Sequence, residues 1–219
     1  MKVLNLYACL GGNRYKWNEL GNIEVTAVEL DSEAARLYKD RFPNDTVIIG
    51  DAHEYLLKHY KEYDFIWSSP PCPSHSRARG YNPNNETLYP DMKLYEEIIL
   101  LQTVSKGEQP RFKGKYVIEN VIPYYEPLIV AQQRGRHIYW SNFVLPHFNI
   151  RKGIEIGKAK NEVDLWSNFH DYDFRKYKGE QPVMKMARNL VDYECGKAIL
   201  AAAMNIILKQ NKEQLELPF

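Results

Sequence analysis

Short β-rich runs alternate with helix-like stretches along the first half of the chain, and that alternation limits the folds open to it. VLNLYA leads into a turn and then EVTAVEL; SEAARLYKDRF, TVIIG, AHEYLLKHY and DFIWSS follow in that order. Read by period, this is βαβαβ. MKLYEEIILLQTVSKG predicts a further helix ahead of the strand KYVIENV, RHIYWSNF predicts another strand, and a last long helix is expected from Leu190 to Lys209. Such a chain builds an α/β domain with a doubly wound, mostly parallel sheet that binds ligands at the carboxyl ends of its strands. Pro146 to Lys185 is polar and aromatic with weak periodicity, and reads as either a small inserted recognition element or surface loops. WSNF occurs at Trp140 and again at Trp166 without flanking similarity, so it is no structural repeat.

A length of 219 residues with 44% apolar and 13% aromatic content fits one domain. Cys9, Cys72 and Cys195 are odd in number and widely spaced, which argues against a disulfide framework and for a reducing cytoplasm. MKVLNLYACL lacks the pattern of a signal peptide, and Ala198 to Leu208 falls short of the roughly 20 residues that span a bilayer, so no membrane role is expected. Charge is split: residues 1–100 carry 11 Lys+Arg against 15 Asp+Glu, and residues 101–219 carry 18 against 13. The second half is the better candidate for a nucleic-acid face, although solvated lysines alone would give the same excess.

Three successive strand ends carry ligand-type groups. CLGG after the first strand supplies a glycine turn at Gly11 and Gly12, where backbone approaches a ligand closely. Glu29, followed by Leu30 and Asp31, offers two acceptor oxygens to a vicinal diol, and Asp51 in Gly50-Asp51-Ala52 offers a carboxylate to an adenine amino group. Singly these are a turn and two helix caps; in order they describe an adenosine-type site.

The fourth strand stops in Pro70-Pro71-Cys72-Pro73, which holds a thiol rigidly at the mouth of the sheet. SHSRARGYNPNNETLYPD after it suits a closing loop in which Arg77 and Arg79 meet phosphates. KYVIENV then delivers Glu119 and Asn120 to the same side. A thiolate and a nearby acid suit pyrimidine chemistry, the thiolate adding to carbon-6 and the acid protonating nitrogen-3. Gln132, Arg134 and Arg136 alternate in AQQRGRHIYW; on one strand they would share a face, orienting Glu119 or gripping the pyrimidine carbonyl, with paired surface arginines as the plain alternative.

SSPPCPSHS resembles the nucleophile motif of DNA cytosine-5 methyltransferases, IENV their Glu-Asn-Val motif, and QQRGR their Gln-x-Arg-x-Arg motif. NLYACLGG looks like their first cofactor motif, and Glu29 and Asp51 match the ribose and adenine positions, over roughly residues 3–145. The resemblance implies a Rossmann-like S-adenosylmethionine-dependent methyltransferase fold, S-adenosylmethionine as cofactor, a flipped cytosine of DNA as substrate, and catalysis by Cys72, Glu119, Arg134 and Arg136. It also implies cofactor contacts from Tyr7, Ala8, Leu10, Gly11, Gly12, Glu29, Leu30, Asp51, Ala52 and Pro71. RNLVDYECGKAIL looks like the family's last motif, which adds Asn189 and Val191. Cys9 and Arg188 stand where the family usually has glycine, and Pro73 where it has glutamine. Cys9 and Cys195 are assigned to packing. No histidine shares metal-ligand spacing with the cysteines, so no zinc site is expected.

The organisation expected is a core over 1–145, a small recognition insertion over 146–187, a helix over 188–209 that completes the core, and a tail over 210–219. The insertion is much shorter than the family's recognition domain. It interleaves Arg151, Lys152, Lys158, Lys160, Arg175, Lys176 and Lys178 with Trp166, Phe169, Tyr172, Phe174 and Tyr177, a pattern suited to phosphate contacts and stacking. Gln214 to Phe219 resembles the peptide that docks bacterial proteins onto the replicative sliding clamp, unless it packs on its own domain. A monomer acting on DNA is expected; a tRNA cytosine-5 methyltransferase and a turnover-free accessory subunit remain the alternatives.

Overall fold

The computed structural model describes residues 1–77, 88–103, 112–147, 151 and 161–208. Strands β1 (Lys2–Leu6), β2 (Glu24–Glu29), β3 (Thr46–Ile49), β4 (Phe65–Ser68), β5 (Lys115–Val121), β6 (Gln132–Arg134) and β7 (His137–Ser141) form one sheet in the order β3-β2-β1-β4-β5-β7-β6. The first five are parallel, and β7 runs antiparallel to both its neighbours. Helices α1 (Ser32–Arg41), α2 (Ala52–His59), α3 (Lys93–Gln102), α4 (Glu162–His170), α5 (Val183–Asn189) and α6 (Tyr193–Ala203) complete the described elements.

Both faces of the sheet are covered, which is why β4 and all of β1 after Lys2 are buried, Asn5 included. Leu4, Leu6, Ile66 and Ile118 meet Leu56 of α2 and Leu94 and Ile98 of α3 on one face. Their chain neighbours Val3, Phe65, Trp67 and Val117 meet Trp17 and the α6 residues Ile199, Leu200 and Ala203 on the other. Three aspartates start helices by accepting backbone N–H groups: Asp31 for α1, Asp51 for α2 and Asp192 for α6.

Three expectations need correction. The last helix is shorter than Leu190 to Lys209: it starts after its cap at Asp192 and ends at Ala203, ahead of Asn205 at φ 58°. QQRGRHIYW is two strands rather than one, because Gly135 turns the chain at φ 59°; Arg136 therefore lies in the turn and does not share a strand with Gln132 and Arg134. The aromatic residues of the insertion are core rather than a stacking surface. Trp166, Phe174 and Tyr177 are buried with Met186 and Leu190 against Leu10, Ala34 and Leu37, and Phe169 and Tyr172 pack on the same cluster.

Two of the basic residues there, Arg151 and Arg175, are also engaged. The Arg151 guanidinium lies 3.9 Å from the Phe169 ring centre and 4.0 Å from that of Tyr193, and pairs with Asp192, while Arg175 pairs with Asp164. Arg79, Lys152, Lys158, Lys160 and the whole Gln214 to Phe219 segment lie outside the described residues. No helix among the described residues is long and apolar enough to cross a membrane.

His170, buried between Trp166 and Phe174, has no hydrogen-bond partner on either ring nitrogen among the described residues. Burial pushes its pKa down to about 3. The unfolded chain, with an ordinary histidine near 6.5, therefore binds more protons as pH falls from about 6.5 towards 3, and stability drops across that window. Urea titrations at several pH values should show His170→Phe gaining on the wild type as pH is lowered through it; a constant difference contradicts the assignment.

Candidate active site

A cleft of about 770 Å³ opens where β1 to β5 end. It sits where the strand order reverses, with β2 and β3 running outward on one side of β1 and β4 and β5 on the other, the crevice in which open α/β sheets bind ligands. Tyr7 comes from β1, Glu29 and Leu30 from β2, Asp51 and Ala52 from β3, Pro71 and Cys72 from β4, Glu119 from β5, and Asn189 and Val191 from the link between α5 and α6.

Glu29 accepts from the Cys9 amide at 2.7 Å and the Asp31 amide at 2.9 Å, one on each oxygen. Burial raises its pKa, with these amides opposing, and the carboxylate keeps lone pairs for a diol. For Asp51, partial burial works against ionisation, but the Glu54 and His53 amides outweigh it and hold the carboxyl below its ordinary pKa; Lys93 lies 3.7 Å away. Acceptors at successive strand ends in a cleft of this size fit an adenosine-type ligand.

The remaining cofactor-motif residues lie under the cleft rather than in its wall. Ala8 and Leu10 are buried in the core. Gly11 has φ 70°, and a Cβ there would sit 2.3 Å from the Phe42 ring; one on Gly12 would sit 2.5 Å from the Val191 carbonyl oxygen. These glycines let the loop pack against α1 and the α5–α6 link. Cys9, at φ 47°, lines the cleft itself.

At the reactive end, the Cys72 carbonyl accepts from the His75 and Ser76 amides, each at 3.0 Å, closing a turn that fixes the thiol. Asn120 donates its side-chain amide to the Pro70 carbonyl at 3.0 Å, tying β5 to the Pro-Pro-Cys loop. Burial raises the Cys72 pKa, the Glu119 carboxylate adds to that rise, and Lys185 opposes it.

The two arginines are not at Glu119. Arg134 donates to the carbonyls of Leu145, Pro146 and Gln133, and Gln132 binds Ser141, Phe143 and the Leu145 amide, so both anchor the segment after β7. Arg136 is exposed in its turn. The side chain beside Glu119 is His137, with Nε2 3.6 Å from Oε1. Sequence reasoning missed it because the arginine motif drew the assignment one residue early.

Glu97 was also missed. It is buried at 1% exposure and accepts from the Tyr7 hydroxyl and the Ser68 hydroxyl, each at 2.6 Å, with His53 Nδ1 at 3.1 Å. The signal was present: Leu94, Glu97, Ile98 and Leu101 are spaced as one inward helix face, so the carboxylate occupies a core position. Gln181 and Lys185, from the region read as an insertion, line the cleft as well.

The sheet order, the covered faces and the cleft at the switch point define a doubly wound, Rossmann-like α/β fold. Residues 1–100 match the family model described as C-5 cytosine-specific DNA methylase. The tRNA (cytosine(38)-C(5))-methyltransferase of Spodoptera frugiperda is 30% identical over 89 residues, covering 39% of this chain and 27% of the relative. Type II methyltransferase M1.HgaI of Avibacterium volantium is 25% identical over 154 residues, covering 67% and 39%. This chain thus matches well under half the length of either relative. Among solved structures, a Spodoptera frugiperda DNMT2 mutant is 26% identical with a TM-score of 0.36, covering 55% of this chain and 35% of that one. The putative methyltransferase SMU.776 complexed with SAH is 20% identical with a TM-score of 0.37, covering 54% and 30%.

Replacing Asn120 by Ala leaves the Pro70 carbonyl without its donor and frees the Cys72 loop. Stability is expected to fall by about 1–3 kcal/mol in urea unfolding, and thiol alkylation at Cys72 to quicken; an unchanged alkylation rate contradicts the clamp.

Proposed function

We propose that the chain transfers a methyl group to carbon-5 of cytosine in DNA, with Cys72 as nucleophile, Glu119 as acid and S-adenosylmethionine as cofactor. The observation that carries this reading is that Cys72 and Glu119 line the same cleft as Glu29 and Asp51. When bound, S-adenosylmethionine supplies an electrophilic methyl group. Glu29 would hold its ribose hydroxyls and Asp51 its adenine amino group, with Tyr7, Leu30, Ala52, Pro71, Asn189 and Val191 as further walls.

The Cys72 proton passes to the Glu119 carboxylate as sulfur adds to carbon-6, and the carboxylic acid so formed donates it to nitrogen-3 as charge builds there, which makes carbon-5 nucleophilic. After methylation, solvent takes the carbon-5 proton, the electrons of that bond expel the Cys72 thiolate, and nitrogen-3 returns its proton to Glu119. Burial and the neighbouring Glu119 carboxylate favour the protonated thiol of Cys72. His137 takes the positioning role beside Glu119 that the motif gave to the arginines. Arg134 is assigned to bracing the adjacent segment, and Arg136 to phosphate contact from its turn.

Three unpaired thiols fit work in a reducing cytoplasm, as a monomer on DNA. Residues 146–187 act as a reduced recognition region, with exposed Lys176, Lys178 and Lys185 meeting phosphates and a short or relaxed target sequence. The tail from Gln214 to Phe219 docks on a sliding clamp; clamp binding that survives its deletion removes that part. A tRNA substrate is the second reading, favoured by the Spodoptera frugiperda relative.

Incubation with methyl-labelled cofactor and either cytosine DNA or tRNA transcripts tests the proposal. Label is expected at carbon-5 of DNA cytosine, and Glu119→Gln should lower turnover about a hundredfold or more. Label in tRNA alone selects the second reading, and full activity of Glu119→Gln overturns the role of the acid.

A further inference from the structure

His75 stands three residues beyond Cys72 and lines the same cleft, yet it is only 1% exposed, and its Nε2 has no hydrogen-bond partner among the described residues. Its other ring nitrogen is held by a directed chain. The Leu128 amide donates to the Tyr95 hydroxyl oxygen at 3.2 Å, the Tyr95 hydroxyl donates to that of Tyr125 at 3.3 Å, and the Tyr125 oxygen lies 2.6 Å from Nδ1. With protons running in that direction, Tyr125 donates to Nδ1. A neutral imidazole that accepts at Nδ1 carries its proton on Nε2. Burial lowers the pKa of this ring and favours its neutral form, against the opposing charge and backbone contact of Asp91. Native structures leave few buried polar groups unpaired, and an orphan donor in a cleft wall calls for an acceptor supplied from within the cleft.

We propose that the Nε2–H of His75 donates to an acceptor oxygen of the target nucleotide, the cytosine carbonyl or an adjoining phosphate, and holds that nucleotide beside Cys72. The inference rests on the cytosine reading above and adds a substrate-binding residue to it. Neither the cofactor end nor the acid is involved, so the effect falls on nucleotide affinity.

The test is equilibrium binding, by fluorescence anisotropy, of a short single-stranded oligonucleotide carrying one cytosine or an abasic site in its place, with S-adenosylhomocysteine present. His75→Phe keeps a ring of similar size without the donor. It is expected to weaken cytosine binding about fivefold to tenfold, with S-adenosylhomocysteine affinity unchanged. If the loss disappears on the abasic oligonucleotide, the acceptor is the base carbonyl; if it persists, the acceptor is a phosphate. Tyr125→Phe, which keeps the imidazole but removes the proton that fixes its tautomer, should weaken binding in the same direction by less. Wild-type affinity in His75→Phe overturns the proposal, and so does wild-type affinity in Tyr125→Phe should His75→Phe fail to fold. A wild type that binds the cytosine and abasic oligonucleotides alike removes the cytosine reading itself.

Discussion

Parallel pairing of β4 with β5, Ser68 opposite Ile118, sets the height at which both reactive groups leave the sheet. Glu119 is the next residue on β5, and Cys72 follows β4 after a proline-rich stop. Each alone is a common element, a strand end and a rigid turn. The pairing makes them neighbours, and the Asn120 amide on the Pro70 carbonyl keeps them so. Parallel strands need crossover connections, so the register also requires helices on both faces, and those helices bury the sheet.

Around this pair the chain places polar groups inside the core and pairs many of them, although Arg14 Nη1 has no partner among the described residues. Glu97 gathers Tyr7, Ser68 and His53 from three elements, so the ends of β1 and β4 and the start of α2 are held by one carboxylate. Arg14 and Asp45 form a buried pair at 2.8 Å, and Asp45 also accepts from the Tyr38 hydroxyl at 2.9 Å. Removing one partner of such a pair costs more than the pair itself contributes, because it strands a buried charge. These networks fix the loop after β1 and α1, on which the glycine turn and the cofactor end rest.

Much of this was legible in the sequence. The strand-helix alternation gave the sheet, and the ordered strand ends gave Glu29, Asp51, Cys72 and Glu119, because period and position carry those signals directly. What failed did so for physical reasons. Gln132, Arg134 and Arg136 alternate as if on one strand, and only the left-handed turn at Gly135 separates them. The mixed aromatic and basic residues after Pro146 have the composition of a nucleic-acid face, but composition does not reveal that Leu10, Ala34 and Leu37 leave an apolar surface for Trp166, Phe174 and Tyr177 to cover. His75 and His137 carry no motif; their roles come from the orphan nitrogen of one and the nearness of Glu119 to the other.

Cys72 and Glu119 are proposed to form one reactive site for a cytosine ring. Mass spectrometry after incubation with S-adenosylmethionine and DNA containing 5-fluorocytosine tests it most directly, since fluorine blocks the proton loss that releases the enzyme. A cofactor-dependent covalent adduct is expected on the peptide containing Cys72, and none in Cys72→Ser. An adduct on another residue, or methylation of ordinary DNA by Cys72→Ser, would contradict it.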